Sequence, residues 1–234
     1  MNIAHRKLLI LFFILNTASI AMRAQILDAV GIAGGITYGT QEWYPSEFNT
    51  QEKFLLGFNG AGLVEFFHSP VFRWRVEIEY NQMGSKELIY QYYTNRTTYL
   101  TLNNYLKMQF PNDQWFITPY LLIGPRIEYL LINSPQIYPQ VLGAFPKIYF
   151  TAAAGVGFEF KNNTVIRPFT EFFFNHDVLP SYHGTYYNTH TAIPYDEPQN
   201  IFYQGYEWRI GARYIFVYKL KSKYCPKVEN PAHN

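Results

Sequence analysis

The 234-residue sequence contains a single cysteine, Cys225, and few charged residues. One cysteine excludes both an intrachain disulfide and a thiolate metal cluster. Lys, Arg, Asp and Glu make up only 15% of the chain, and the formal net charge of +2 gives no indication of a nucleic-acid partner. Aromatic residues reach 19%, which is too many for a disordered chain, and the low charge content indicates that much of the surface does not face water.

The sequence also lacks an apolar run long enough to cross a bilayer as a helix. Its longest run, residues 8–20, follows the basic pair Arg6 and Lys7 and is followed by small residues up to Ala24. A membrane-spanning helix needs roughly 20 apolar residues, so this pattern instead predicts a secretory signal peptide over residues 1–24. A helical membrane protein is therefore not expected.

What the sequence does contain is a strict alternation of apolar and polar residues. The segment Phe72–Gln82, FRWRVEIEYNQ, places Trp74, Val76 and Ile78 on one parity and charged residues on the other. This alternation predicts a β-strand with one apolar and one polar face. The same pattern recurs in seven further segments, so the sequence predicts eight strands.

The connections between these segments alternate in length. Short turns of Pro, Asn, Asp and Ser are predicted at 68–71, 111–114 and 161–164. Long polar loops are predicted at 40–53, 85–97, 132–146 and 178–204. An even strand number with short periplasmic turns and long external loops is typical of bacterial outer-membrane barrels. We therefore expect an all-β fold, an eight-stranded antiparallel up-and-down transmembrane β-barrel over residues 25–216, with a periplasmic C-terminal tail over 217–234.

The cost of burying charge in lipid predicts which face of the strands points inward. An Arg or Lys at the bilayer midplane costs roughly 2–4 kcal/mol, so the charged parity must face the lumen if the protein spans a membrane. A soluble barrel would have the opposite arrangement, with nearly all the large apolar side chains inside. An eight-stranded interior is only just wide enough for its own side chains, so this alternative is disfavoured.

Three segments, PYLLIGPRIEYLL, AAAGVGFEF and WRIGARYIF, resemble the PorT-like outer-membrane β-barrel domain of Gram-negative bacteria. YLTLNNYLKMQF resembles the fourth strand of that family, which commonly carries Pro where this chain has Asn103 or Asn104. The resemblance covers about residues 28–216. It implies an eight-stranded barrel in the outer membrane. Some members of the family are linked to protein secretion, and only the fold and the location are carried over to this chain.

The inward parity predicts a network of charges in the lumen. Its acids and bases are Glu65, Arg73, Arg75, Glu77, Glu79, Lys107, Arg126, Glu128, Glu159, Glu171, Glu207, Arg209 and Arg213, and Lys147 and Arg167 share the same parity. Near-balance of charge in a narrow interior predicts paired, hydrogen-bonded side chains, because an unpaired buried charge costs several kcal/mol. The expected state is a plugged, salt-bridged core, and a narrow porin-like ion channel is the alternative.

The fourth predicted loop contains a cluster of histidines. His176, Asp177, His183 and His190 are candidate binding residues there. With Ser181 they also permit a hydrolase of envelope lipid, although no spacing in the loop specifies a nucleophile, a base and an orienting group. The histidines repeat every seven residues, as metal ligands on a helix would, but the prolines and glycine of this loop disfavour a long helix. We expect no enzymatic activity, no metal and no cofactor.

These observations predict an integral outer-membrane protein that serves as a structural or binding component of the cell envelope. The expected partners are outer-membrane lipid, lipopolysaccharide and an envelope protein. No nucleic-acid partner is expected, and the barrel is predicted to be monomeric.

Overall fold

The computed structural model describes residues 27–44, 51–67, 69–88, 92–111, 114–135, 146–161, 164–180, 182–184 and 199–216. Within these ranges lie nine strands: β1 (Leu27–Tyr44), β2 (Gln51–Phe66), β3 (Phe72–Leu88), β4 (Tyr92–Gln109), β5 (Ile117–Pro135), β6 (Ile148–Phe160), β7 (Ile166–Asp177), β8 (Tyr182–Gly184) and β9 (Gln199–Ile215). The same ranges contain no helix that is long and apolar enough to span a membrane. The predicted signal peptide, 1–24, and the predicted tail, 217–234, lie outside the described residues and stay predictions.

The strands form one closed antiparallel sheet. Each strand from β1 to β7 pairs with the next, β7 pairs with β9, and β9 pairs with β1 to complete the ring. The short strand β8 pairs with β9 just beyond the end of β7, where Tyr182 lies opposite Ile201. The predicted eight-stranded up-and-down barrel is confirmed. Closure leaves no strand edge in the ring to pair with another chain.

The short turns lie where the sequence predicts them. They connect β2 to β3 through residues 67–71, β4 to β5 through 110–116, and β6 to β7 through 161–165. In the first turn, Phe67 adopts a φ of 66°, and the Ser69 hydroxyl accepts hydrogen bonds of 3.3 Å from the backbone N–H groups of Val71 and Phe72. We call this end of the barrel the short-turn end and the opposite end the hairpin end.

The strands at the hairpin end are longer than predicted. The predicted loop 85–97 is mostly strand, because β3 continues to Leu88 and β4 begins at Tyr92. Likewise, β9 begins at Gln199, within the predicted loop 178–204. The sequence prediction was wrong here for a physical reason. Backbone pairing continues beyond the apolar band, where side chains no longer alternate in polarity.

The two faces of the sheet differ as predicted. Ile78 has 61% of its surface exposed, whereas its neighbour Glu79 has 0%. The same alternation continues along β6, where apolar residues such as Phe150 and Val156 point outward. The outer surface is therefore an apolar belt and the interior is polar, which confirms the face assignment.

Candidate functional site: the barrel interior

Buried charged side chains fill the barrel. The described acids that are buried are Asp28, Glu65, Glu77, Glu79, Glu128, Glu159, Glu171, Asp177 and Glu207. The buried bases are Arg75, Lys107, Arg126, Arg209 and Arg213, each with at most 1% of its surface exposed. Period-two alternation on every strand directs these side chains inward, and the narrow ring brings residues of distant strands within contact.

Glu65 is the centre of the cluster nearest the short-turn end. Its carboxylate accepts hydrogen bonds from Arg75 Nη2 at 2.7 Å and from Lys107 Nζ at 2.8 Å. Arg73 Nη1 lies 3.4 Å away, and Arg213 donates to the same carboxylate. The pairing of β2 with β3 places Glu65 directly opposite Arg75, so the local register positions the central pair.

Glu159 of β6 is the second acid at this end. It pairs with Arg213, with Arg167 at 3.2 Å and with Lys107 at 3.8 Å. Arg167 is partly exposed and lies at the rim of the barrel. Lys147, which shares the inward parity, is exposed immediately before β6. It lies at the hairpin end, beyond the strand, where parity no longer directs a side chain into the lumen.

The middle of the interior contains ion pairs that cross the lumen. Arg209 of β9 donates to Glu77 of β3 at 2.9 Å and to Glu171 of β7 at 2.9 Å, and it lies 3.5 Å from Glu79. Arg75 of β3 also donates to Glu171, which lies on the far side of the ring. The Arg209–Glu77 and Arg75–Glu171 pairs therefore connect distant walls of the barrel, whereas Arg209 and Glu171 lie opposite one another on the neighbouring strands β9 and β7.

A third cluster lies nearer the hairpin end, around Arg126 of β5. Its guanidinium donates to Glu207 at 2.8 Å and lies 3.4 Å from both Glu79 and Glu128. The amide of Asn175 also donates to Glu207, at 2.6 Å. Asn81 donates to Glu207 as well, at 2.8 Å, so one cation and two neutral amides compensate this buried carboxylate.

Aromatic rings fill the space between the charged groups. Arg209 Cζ lies 4.3 Å from the centroid of the Phe173 ring, and Lys107 Nζ lies 4.1 Å from that of Tyr120. The Tyr120 hydroxyl also donates to Glu171 at 2.6 Å. Cation–π contacts of this kind stabilise cations that have lost their water.

A group of tyrosines lies across the interior toward the hairpin end. Tyr99 packs edge-to-face on Tyr149, with ring centroids 5.5 Å apart, and also contacts Tyr203. The side chain of Gln41 donates to the Tyr203 hydroxyl, and Ser85 donates to Gln41 at 2.6 Å. These buried rings and their polar partners lie between the ion pairs and the hairpin end.

The interior contains an acidic side chain, Asp28, that the sequence analysis did not assign to it. Asp28 shares the parity of outward residues, but a shift in register between Leu27 and Ala29 at the start of β1 turns it inside. There it forms an ion pair of 2.8 Å with Arg73. Alternation cannot reveal a bulge, so the sequence contained no signal for this residue.

The structure separates the residues of the predicted histidine cluster. His176 and Asp177 lie on β7, not in a loop, so that part of the prediction was wrong. Asp177 points inward and accepts a hydrogen bond of 3.1 Å from Thr151, whereas His176 points outward beside Phe174. His183 lies on β8, and Ser181 and His190 lie outside the described residues. In the ranges that the structure describes, no group of three or more His, Cys, Asp or Glu is placed to hold a metal ion.

Comparison with one solved structure supports the barrel fold, and two further structures align with lower scores. The outer membrane protein OprG from Pseudomonas aeruginosa superposes with a TM-score of 0.56 at 9% identity, over 82% of this chain and 98% of that one. Neisserial surface protein A gives a TM-score of 0.44 at 11% identity, over 80% of this chain and 97% of that one. Ail, the attachment invasion locus protein of Yersinia pestis, gives a TM-score of 0.38 at 11% identity, over 81% and 99% of the two chains.

Neither a scan against known protein families nor a search of curated proteins finds a match for this chain. The PorT-like resemblance therefore stays a prediction. The chain has the closed eight-stranded fold of outer-membrane β-barrel proteins, and its apolar outer belt agrees with the predicted location in the outer membrane.

Proposed function

We propose that this protein is a non-conducting barrel of the outer membrane that acts as a structural or binding component of the cell envelope. The observation that carries this proposal is the set of ion pairs across the lumen, from Arg209 to Glu77 and from Arg75 to Glu171. All four side chains are fully buried. A water-filled channel would leave such groups solvated, as in porins.

The energetics of buried charge favour a closed state. Opening a path would separate at least one of these cross-lumen pairs, and breaking a buried pair costs roughly 3–5 kcal/mol when one partner is left uncompensated. The tyrosines near the hairpin end would have to move as well. A barrel with this interior is therefore suited to act through its outer surface and its hairpin ends.

The proposal does not include catalysis. Within the candidate hydrolase group, the side chains of His176 and Asp177 point to opposite faces of the sheet and share no reaction site. A role in secretion has no support beyond the sequence resemblance, so the proposed partners remain envelope lipid and an envelope protein.

Conductance in planar lipid bilayers tests the proposal. The purified protein is expected to give no unitary currents. The double variant Arg75→Ala with Arg209→Ala removes the guanidiniums of these two pairs, and its folded fraction is expected to conduct. Steady unitary currents from the unmodified protein would contradict a closed lumen.

A further inference from the structure

A small polar group lies on the outer surface at the hairpin end. It consists of Glu42 of β1, Gln204 of β9 and His176 of β7, whose strands are neighbours in the ring. Glu42 and His176 are 35% and 42% exposed, respectively, so both are accessible to a ligand. We call these three residues the exterior polar group.

Hydrogen bonding within this group leaves two acceptors facing one another. The Gln204 amide donates to Glu42 Oε1 at 2.6 Å, which leaves Oε2 available. His176 Nδ1 lies 2.7 Å from the backbone oxygen of Asp177. A carbonyl oxygen can only accept, so in the neutral imidazole Nδ1 carries the proton and Nε2 is an acceptor.

His176 Nε2 and Glu42 Oε2 are 4.0 Å apart. This separation is too long for a hydrogen bond between them. A single donor nitrogen could reach both, because hydrogen bonds of about 2.8 Å to each atom span that gap. Only a group with two or more N–H bonds can donate to both acceptors at once. A negatively charged ligand would be repelled by the carboxylate.

Aromatic rings surround the exterior polar group. His176 stacks on Phe202 with centroids 6.2 Å apart, and Phe174 lies 6.3 Å from His176 and 5.4 Å from Tyr206. Phe174 and Tyr206 are exposed and belong to the apolar belt that faces lipid. Rings near a cation add to its binding, and aromatic belts mark the level of lipid headgroups.

We propose that the exterior polar group binds the primary ammonium of a lipid headgroup, with N–H donation to Glu42 Oε2 and His176 Nε2. The acyl chains of that lipid lie along the apolar belt below. This inference rests on the proposed function, since it names what the outer surface of the barrel binds.

Lipid retention in native mass spectrometry tests the inference. The folded protein in detergent is titrated with phosphatidylethanolamine, with phosphatidylcholine, whose ammonium has no N–H bonds, and with phosphatidylglycerol, which has no ammonium. The protein is expected to retain phosphatidylethanolamine about ten-fold more tightly than either of the other lipids, since one charge-assisted hydrogen bond supplies a factor of this order. Glu42→Gln is expected to abolish this preference, and His176→Phe to reduce it.

Lys86→Gln is the matched control, because Lys86 is exposed near the same end on β3 and its loss also changes the charge by one. It is expected to leave the preference intact. Equal retention of phosphatidylethanolamine and phosphatidylcholine, or an unchanged preference in folded Glu42→Gln protein, would overturn the inference. Bilayer currents recorded from the same preparation report on the closed lumen separately, so either proposal can fail without the other.

Discussion

Replacing Glu65 by Gln tests the ion-pair network at its most heavily charged point. The substitution keeps the shape of the side chain and removes its charge. Arg75 and Lys107, which contact Glu65 at 2.7 and 2.8 Å, would then face a neutral amide. Arg213 loses the same partner. Three buried cations therefore lose part of their compensation through one change.

The expected loss of stability follows from this burial. Glu65 and its nearest bases are almost completely buried, so bulk water cannot replace the lost carboxylate. Removing one partner of a buried ion pair costs roughly 3–5 kcal/mol. The cost falls in the lower part of this range if Arg75 and Arg213 move toward their remaining acids, Glu171 and Glu159.

This loss of stability is measured by titrating the folded barrel with urea, and unfolding is detected as the disappearance of the fast-migrating form on unheated gels. Adding Lys107→Met to Glu65→Gln removes one of the uncompensated cations. The stability loss of the double variant is therefore expected to be smaller, by at least about 1 kcal/mol, than the summed losses of the two single variants. Thr101→Ala, which alters a buried hydroxyl without a hydrogen-bond partner, is the control. Ion pairs in contact with water contribute at most about 1 kcal/mol. A stability loss smaller than this for Glu65→Gln would therefore refute a dry interior.

Three further predictions follow from the two faces of the sheet and from its glycines. Ile78→Arg is expected to lower the free energy of unfolding by roughly 2–4 kcal/mol relative to Ile78→Leu. Equal stability of the two variants in vesicles would contradict a lipid-facing Ile78. Gly35→Ala should be clearly destabilising in urea, because its Cβ would collide with the Trp208 carbonyl oxygen. Gly60→Ala, whose Cβ would meet no neighbouring atom, should have little effect, and the reverse order would refute this packing. Glu77→Ala should lower the temperature at which the fast-migrating form disappears without producing bilayer currents, and an unchanged temperature with new currents would indicate a wet lumen.

The sequence was sufficient to predict the barrel because alternation reports directly on the two faces of a strand. Arg75, Glu77 and Glu79 could be assigned to the interior since each has apolar neighbours on both sides in sequence. Pairing between distant strands could not be predicted. That Arg209 meets Glu77 depends on the tilt and stagger of the whole ring, which no local pattern contains.

The hairpin end shows where sequence reasoning fails. His176 and Asp177 are adjacent polar residues, so they suggested one loop cluster, yet a strand places them on opposite faces. Glu42 and Gln204 are 162 residues apart in sequence and became neighbours of His176 only because β9 closes the ring against both β1 and β7. Residues brought together by closure can be found only in the folded chain.

Thiol labelling at Thr101 and Leu102 tests most directly that the apolar face meets lipid and the polar face is a closed interior. These β4 neighbours have 1% and 41% of their surfaces exposed. Each is changed to Cys in a Cys225→Ser background, and the folded protein in vesicles is treated with a lipid-soluble and with a water-soluble maleimide. We predict that Leu102→Cys reacts with the lipid-soluble reagent alone and that Thr101→Cys reacts with neither. Reaction of Thr101→Cys with the water-soluble reagent would contradict the closed interior, and its reaction with the lipid-soluble reagent would contradict the assignment of the two faces.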